Sequence, residues 1–291
     1  MGVFWMLVTG ACFVAVTAVV KVVGPGMPPA QSAFLRYALG LVFVIPMLRP
    51  ILDAKLNRRA LKLFALRGVV HTLGVITWFY AMTRISIAEV TAMNFLNPIY
   101  VTILAAVFLG ERLALRRIMA VGVALCGALI ILRPGFREVN AGHIAMLFTA
   151  MAFALSYLMA KIMADEMSPP VVVGMLALTV MVGLAPFAWA VWVPPTWAQL
   201  GWLGLAACFA TAAHLAMTMA FRTAPLAVTQ PVTFVQLVWA TLLGTLVFGE
   251  PVDSYVIVGG ALIIAAISYI TLREAMLRRT QVTPAVAQTK I

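Results

Sequence analysis

The chain has 291 residues, of which 64% are hydrophobic and only 10% charged, and its 20 Lys and Arg against 9 Asp and Glu give a formal net charge of +11. So little polar surface cannot clothe a water-soluble core, which excludes a soluble protein. The basic excess is sorted along the chain as membrane topology sorts it, so it points to a lipid bilayer and not to nucleic acid.

In chain order, ten segments reach the roughly 20 apolar residues that a spanning helix needs: about 3–23, 31–48, 63–82, 86–109, 115–132, 143–163, 171–192, 200–221, 226–248 and 254–272. Loops between them are short, leaving no room for a soluble domain. Runs such as VIVGGALIIAAISYI are continuously apolar, so a barrel of alternating strands does not fit. The expectation is an all-α polytopic membrane protein with ten transmembrane helices. The first basic residue, Lys21, follows the first apolar run, which therefore reads as a retained span and not a signal peptide. Cys12, Cys126 and Cys208 each fall inside a span and read as small apolar side chains, not as a disulfide framework.

With a cytoplasmic amino terminus the inner side receives fifteen basic residues, among them Arg58, Arg59, Lys62, Arg67 and Lys161, and the outer side only Lys21, Arg84, Arg133 and Arg137. This bias places both termini in the cytoplasm and the chain, multi-pass, in the inner (plasma) membrane. Residues 277–291 read as a disordered cytoplasmic tail.

Polar residues inside the spans are the candidates for function. Lys21 closes the first span and Lys161 the sixth, where an ammonium suits the helix dipole; a contact to a substrate carboxylate or a gate is the alternative. Arg36 lies about a turn inside the second span, where a charge marks a pathway or snorkels outward. His71 in the third span and His214 in the eighth are candidate proton carriers, and Trp78 and Tyr80 supply aromatic surface. Glu89 opens the fourth span, as a cap or a coupling site. Farther along, Asn94, Asn97 and Tyr100 share a face at i, i+3 and i+6, and Thr233, Gln236 and Trp239 hold the matching slots of the ninth span. These stripes look into the bundle, as cavity lining or as interhelical glue. Pro98 and Pro231 are candidate hinges. Charge is otherwise sparse in the spans, which argues against strongly charged cargo.

The chain is written twice. An offset of 140 pairs Gly2 with Gly142, Thr9 with Thr149, Lys21 with Lys161, Pro29 with Pro169 and Pro46 with Pro186, and an offset of 139 pairs Gly110-Glu111 with Gly249-Glu250. The halves are 1–136 and 137–276. Each holds five spans, an odd number, so the second enters the membrane from the opposite side, and the two five-helix repeats are inverted. Glu111 and Glu250 then lie on opposite faces and form no catalytic pair; each Gly suits a helix end and each Glu the start of the next helix. Inverted repeats can exchange inward-open and outward-open states around a midplane site.

The lysines in VVKVVG and LMAKIM, FLRYALG at the second span, and the two Gly-Glu pairs resemble the EamA family of the drug/metabolite transporter superfamily, over roughly residues 2–273. The resemblance implies a ten-helix secondary carrier of small metabolites, with YddG-type amino-acid exporters among its members. An exporter of amino acids or related compounds is the leading expectation, with a nucleoside, vitamin or drug-like compound as the alternative. Substrate-binding is expected at Asn94, Asn97, Tyr100, Thr233, Gln236, Trp239, Trp78 and Tyr80, and coupling or gating at His71, His214, Glu89, Arg36, Lys21 and Lys161. No HExxH, P-loop or Cys–His cluster occurs, so no cofactor, no metal and no enzyme are expected. No His–carboxylate pair at a membrane surface is foreseen. The rivals from other classes are a membrane enzyme acting on lipid-linked substrates and a non-transporting scaffold.

Overall fold

Apolar runs in lipid leave the backbone no partner but itself, and the computed structural model is helical accordingly. It describes residues 1–24, 26–97, 99–100, 103–104, 107, 115–136, 138–164, 166–223, 232 and 234–282. The helices are α1 (Gly2–Val23), α2 (Pro29–Gly40), α3 (Leu48–Asp53), α4 (Arg58–Met82), α5 (Ile87–Asn94), α6 (Leu115–Leu132), α7 (Ala141–Ala164), α8 (Pro169–Ala190), α9 (Trp197–Thr223), α10 (Phe234–Phe248) and α11 (Ser254–Val282). Among the described residues five helices are long and apolar enough to cross a membrane, and the bent pair α2–α3 is a sixth; apolar stretches at 118–132, 141–156 and 235–248 are shorter. The final helix continues past residue 276, to Val282.

Local sequence sets the helix ends. Proline, whose missing N–H costs nothing in a first turn, opens both α2 and α8. Asn57 caps α4 by accepting from the Ala60 N–H at 2.8 Å. Gly249, just past α10, takes φ +64°, a left-handed turn that glycine adopts without strain. The second span, expected as one helix over 31–48, instead bends by 60° between 29–43 and 45–53. Two 3-10 turns fill the break, because Pro46 lacks an N–H and its ring crowds the preceding turn. Its repeat partner Pro186 lies inside an unbroken α8.

Packing exchanges the two halves. The first helix of each repeat lies along the third-span helix of the other, α1 on α9 and α7 on α4, while α2 meets α8, α5 meets α10 and α6 meets α11. The α6–α11 crossing is the closest: a Cβ on Gly127 would stand 2.6 Å from the Gly259 carbonyl oxygen, and one on Gly259 2.5 Å from that of Gly127. The end of α1 and the start of α7 share one face of the bundle, where a single pocket is lined by Lys21, Arg84, Asn140 and Glu250. On the opposite face the 54–57 turn meets Glu166 and Ser168. One repeat therefore begins where the other ends, which is the inversion that five spans per repeat require.

Candidate functional site

A basic centre inside the bundle is the first feature that the sequence reading did not assemble. Arg67, expected among the cytoplasmic charges, is instead 5% exposed. The correction follows from the Asn57 cap: α4 starts at Arg58, five residues before the expected span, so Arg67 stands about 14 Å along the helix. Its Nε donates to Ser156 Oγ at 3.3 Å and its Nη1 to the Val172 carbonyl at 3.2 Å. One turn farther, His71 Nδ1 lies 3.0 Å from the same Ser156 hydroxyl, and its ring stacks on Phe153 with centroids 4.7 Å apart. Phe153 in turn meets the edge of Trp78 at 6.1 Å. His214, from α9, meets Phe13 of α1 edge-on at 5.4 Å. Both histidines lie within electrostatic reach of Arg36 and Arg67. Helices α2, α4 and α9 thus bring two guanidinium groups and two imidazoles into one neighbourhood, and the second guanidinium, Arg67, is a charge that the expectation of a sparsely charged interior did not include.

Several polar atoms inside the bundle have no hydrogen-bond partner among the described residues. Arg36 Nε, Trp78 Nε1, Asn94 Oδ1 and Asn97 Oδ1 are all buried and unsatisfied. Two are donors and two acceptors, on the second, third and fourth spans. The Arg36 guanidinium also rests 4.2 Å from the Tyr37 ring centroid. Helix α5 tightens after Asn94, where the Phe95 and Leu96 N–H groups reach back three residues to Ala92 and Met93 at 3.2 and 3.1 Å. Three-residue winding brings side chains at i and i+3 into line, which keeps Asn94 and Asn97 on one face.

The pocket at the end of α1 carries a second constellation. Lys21 pairs with Glu250 and donates to the Ile85 carbonyl at 3.1 Å. Glu250 Oε2 accepts from the Ile87 N–H at 3.0 Å. Glu250 therefore caps α5 of the other repeat and not, as expected, the helix that follows it; α11 takes its own cap from Asp253, which accepts from the Tyr255 N–H at 2.9 Å. Beside this latch, Ser86 and Glu89 form a capping box, and Glu89 Oε1 lies 3.1 Å from His143 Nε2 with both side chains buried. This is a His–carboxylate pair at a membrane surface, contrary to expectation. His143 Nδ1 accepts from the Asn140 N–H at 3.1 Å, leaving Nε2 to donate to Glu89. Ser86 Oγ is held as the acceptor of the Glu89 N–H at 3.1 Å. The arrangement ties two helix starts together, and among the described residues it presents no hydroxyl activated by the imidazole.

The remaining predicted residues are spread more widely. Tyr100 is half-buried against the main core. Tyr80 sits in the last turn of α4 beneath the Arg84 guanidinium, 3.5 Å from its ring centroid, near the pocket at the end of α1 and away from the interior centre. Gln236 packs on α1, its Cβ 3.2 Å from where a Cβ on Gly10 would stand. Trp239 packs with Val14, Ile87 and Phe248. Lys161 falls near the end of α7; its side chain lies outside the described residues, as do Thr233, Pro98, Pro231 and Gly110-Glu111. Among the described residues no group of three His, Cys, Asp or Glu is placed to hold a metal.

Comparison with known proteins gives this geometry a context. The model of the EamA-like transporter family matches residues 1–133 and again 140–272. A riboflavin transporter of Rhizobium johnstonii is 27% identical over 276 residues, covering 94% of this chain and 91% of that protein. A pseudopaline exporter, CntI, of Pseudomonas aeruginosa is 25% identical over 268 residues, covering 91% and 94%. An S-adenosylmethionine uptake transporter of Rickettsia prowazekii is 23% identical over 279 residues, covering 94% and 93%. A solved crystal structure shares the fold with a TM-score of 0.61 at 17% identity, covering 93% of this chain and 97% of its own.

Proposed function

The chain belongs to the EamA-like transporter family, and on that premise we propose that it is a secondary carrier of a small heteroaromatic, vitamin- or nucleoside-like metabolite, working by alternating access about a central site. It is a multi-pass membrane transporter and not an enzyme. Cargo of this class is supported by the relatives, which are named for riboflavin, pseudopaline and S-adenosylmethionine; they support it better than the amino-acid export expected first, and kinship is to the family at large and not to YddG-type exporters specifically. Two of these names run in opposite directions, one an exporter and one an uptake transporter, so direction is left to measurement.

The observation that carries the reading is the set of orphaned atoms, Arg36 Nε, Trp78 Nε1, Asn94 Oδ1 and Asn97 Oδ1. Buried polar groups in native proteins are almost always satisfied, and donors and acceptors left open inside a bundle suit a cargo that satisfies them in transit. A flat ring with amide-like edges, stacked near Trp78 and Phe153, meets that requirement. Residues 1–136 and 137–276 would be the exchanging halves, both termini cytoplasmic in the plasma membrane. The Lys21–Glu250 latch, which ties the first repeat to the second at the face where α1 ends, fits a gate that closes that face.

Uptake of labelled riboflavin into reconstituted vesicles tests the reading at the site. Asn97→Ala and Trp78→Phe should each cut uptake at least fivefold while the purified variants keep the wild-type elution profile and helicity. Unchanged uptake in both would remove the central site from the pathway.

A further inference from the structure

We propose that the interior basic centre is an anion seat: the carried metabolite presents an ionised oxyacid group, a carboxylate or phosphate, and Arg36 grips it. The inference rests on the carrier reading and narrows its substrate. It starts from the cost of Arg36. A guanidinium is charged at every physiological pH, and a charge inside a span is expensive unless paired. Arg36 stands seven residues past Pro29, about 10 Å into the span. Its Nε is buried without a partner, and its one close contact among the described residues is the Tyr37 ring.

Among the described residues no carboxylate pairs with it. In the sequence the nine Asp and Glu all fall at the ends of the apolar runs or between them, so no carboxylate comes from the middle of a span. The other charge that acts with it on His71 and His214 is Arg67, also a cation. Arg67 is fixed by Ser156 and Val172, and His71 by Ser156 and Phe153. Of the two guanidinium groups Arg36 is therefore the one left open to bind, with the fixed charge of Arg67 in the same neighbourhood. Such a centre repels cationic cargo and rewards an oxyanion, which guanidinium meets with two parallel hydrogen bonds. Trp78, joined to His71 through Phe153, offers a donor at the rim for the rest of the molecule. The second repeat carries Leu176 in the slot of Arg36, so the seat belongs to one half alone.

Equilibrium binding to the detergent-purified full chain, with matched probes, tests this. The pairs are riboflavin with flavin mononucleotide, adenosine with adenosine monophosphate, and nicotinamide with nicotinate, so that the phosphate and carboxylate arms are read apart. The charge-assisted contact should make the anionic member of at least one pair bind about 10- to 100-fold tighter. Arg36→Gln should erase that preference by weakening the anionic member at least tenfold more than the neutral one, and Arg36→Lys should restore part of it. Equal affinity within all three pairs, no binding of any anionic probe, or a preference that survives Arg36→Gln would overturn the seat. Vesicle flux of a neutral probe without anion preference would leave the carrier standing and remove only the seat.

Discussion

Gly127→Ala should destabilise the bundle where Gly122→Ala, on the same helix, should not. At Gly127 the added methyl would meet the Gly259 carbonyl oxygen at 2.6 Å, Ile263 Cγ1 at 2.9 Å and the Ile263 nitrogen at 3.3 Å, whereas at Gly122 nothing lies within 4 Å. Ordinary C···O contacts between packed helices run at about 3.3–3.6 Å, so α6 and α11 must part by roughly 0.7–1 Å. Overpacking of this kind costs about 1–3 kcal/mol, partly offset by the roughly 0.5–1 kcal/mol that alanine gains over glycine in a helix. The net loss at Gly127 is then about 1–2 kcal/mol, against a small gain at Gly122. Because small residues are what let helices approach in lipid, the same separation would loosen the contact between the fifth spans of the two repeats. Thermal unfolding in a mild detergent, followed by tryptophan fluorescence, should show Gly127→Ala several degrees below Gly122→Ala. Gly259→Ala should match Gly127→Ala, and the double variant should fall short of the sum, since the helices part once. A Gly127→Ala protein as stable as Gly122→Ala would refute the close crossing.

Three further outcomes are expected. Lys21→Glu and Glu250→Lys should each depress flux in vesicles at least fivefold, because breaking the pair leaves a charge beside the α5 start; the double exchange should recover a good part of it, and a double variant no better than the singles would argue against a latch. Ser86→Ala removes the acceptor of the Glu89 N–H and should lower stability by about 1 kcal/mol, read as a shift in the unfolding midpoint with flux per folded molecule unchanged. Flux that does not respond to an imposed proton gradient would remove His71, His214 and Glu89 as proton carriers; a response abolished by Glu89→Gln alone would assign coupling to the Glu89–His143 pair.

The sequence was legible where physics is local. Continuous apolar runs, the Lys and Gly-Glu recurrences and the odd number of spans per repeat lead to an inverted bundle, and Glu89 at the start of its span reads as a cap, which the structure completes with Ser86 as a capping box. What escaped depends on distance along the chain. Arg67 looked cytoplasmic because it lies only about a turn into the apolar run at 63–82; its burial is set by a cap at Asn57 and by partners 89 and 105 residues away. Glu250 looked like the start of its own helix, yet its lysine is 229 residues distant. His143 passed unnoticed, though a histidine three residues after Asn140 at the opening of a span was a usable signal. Pro46 and Pro186 hold the same slot in the repeat, and only the first breaks its helix. Hydropathy does not separate two such prolines, because the apolar pattern around both is alike.

The most direct test is counterflow in vesicles containing only the purified protein, offered riboflavin, S-adenosylmethionine, nucleosides and their monophosphates, nicotinate and amino acids in parallel. The account predicts saturable uptake of at least one heteroaromatic compound, accelerated when the same compound fills the lumen, with amino acids carried poorly. Folded protein that accelerates none of them, or that carries amino acids in preference to all the rest, would contradict it.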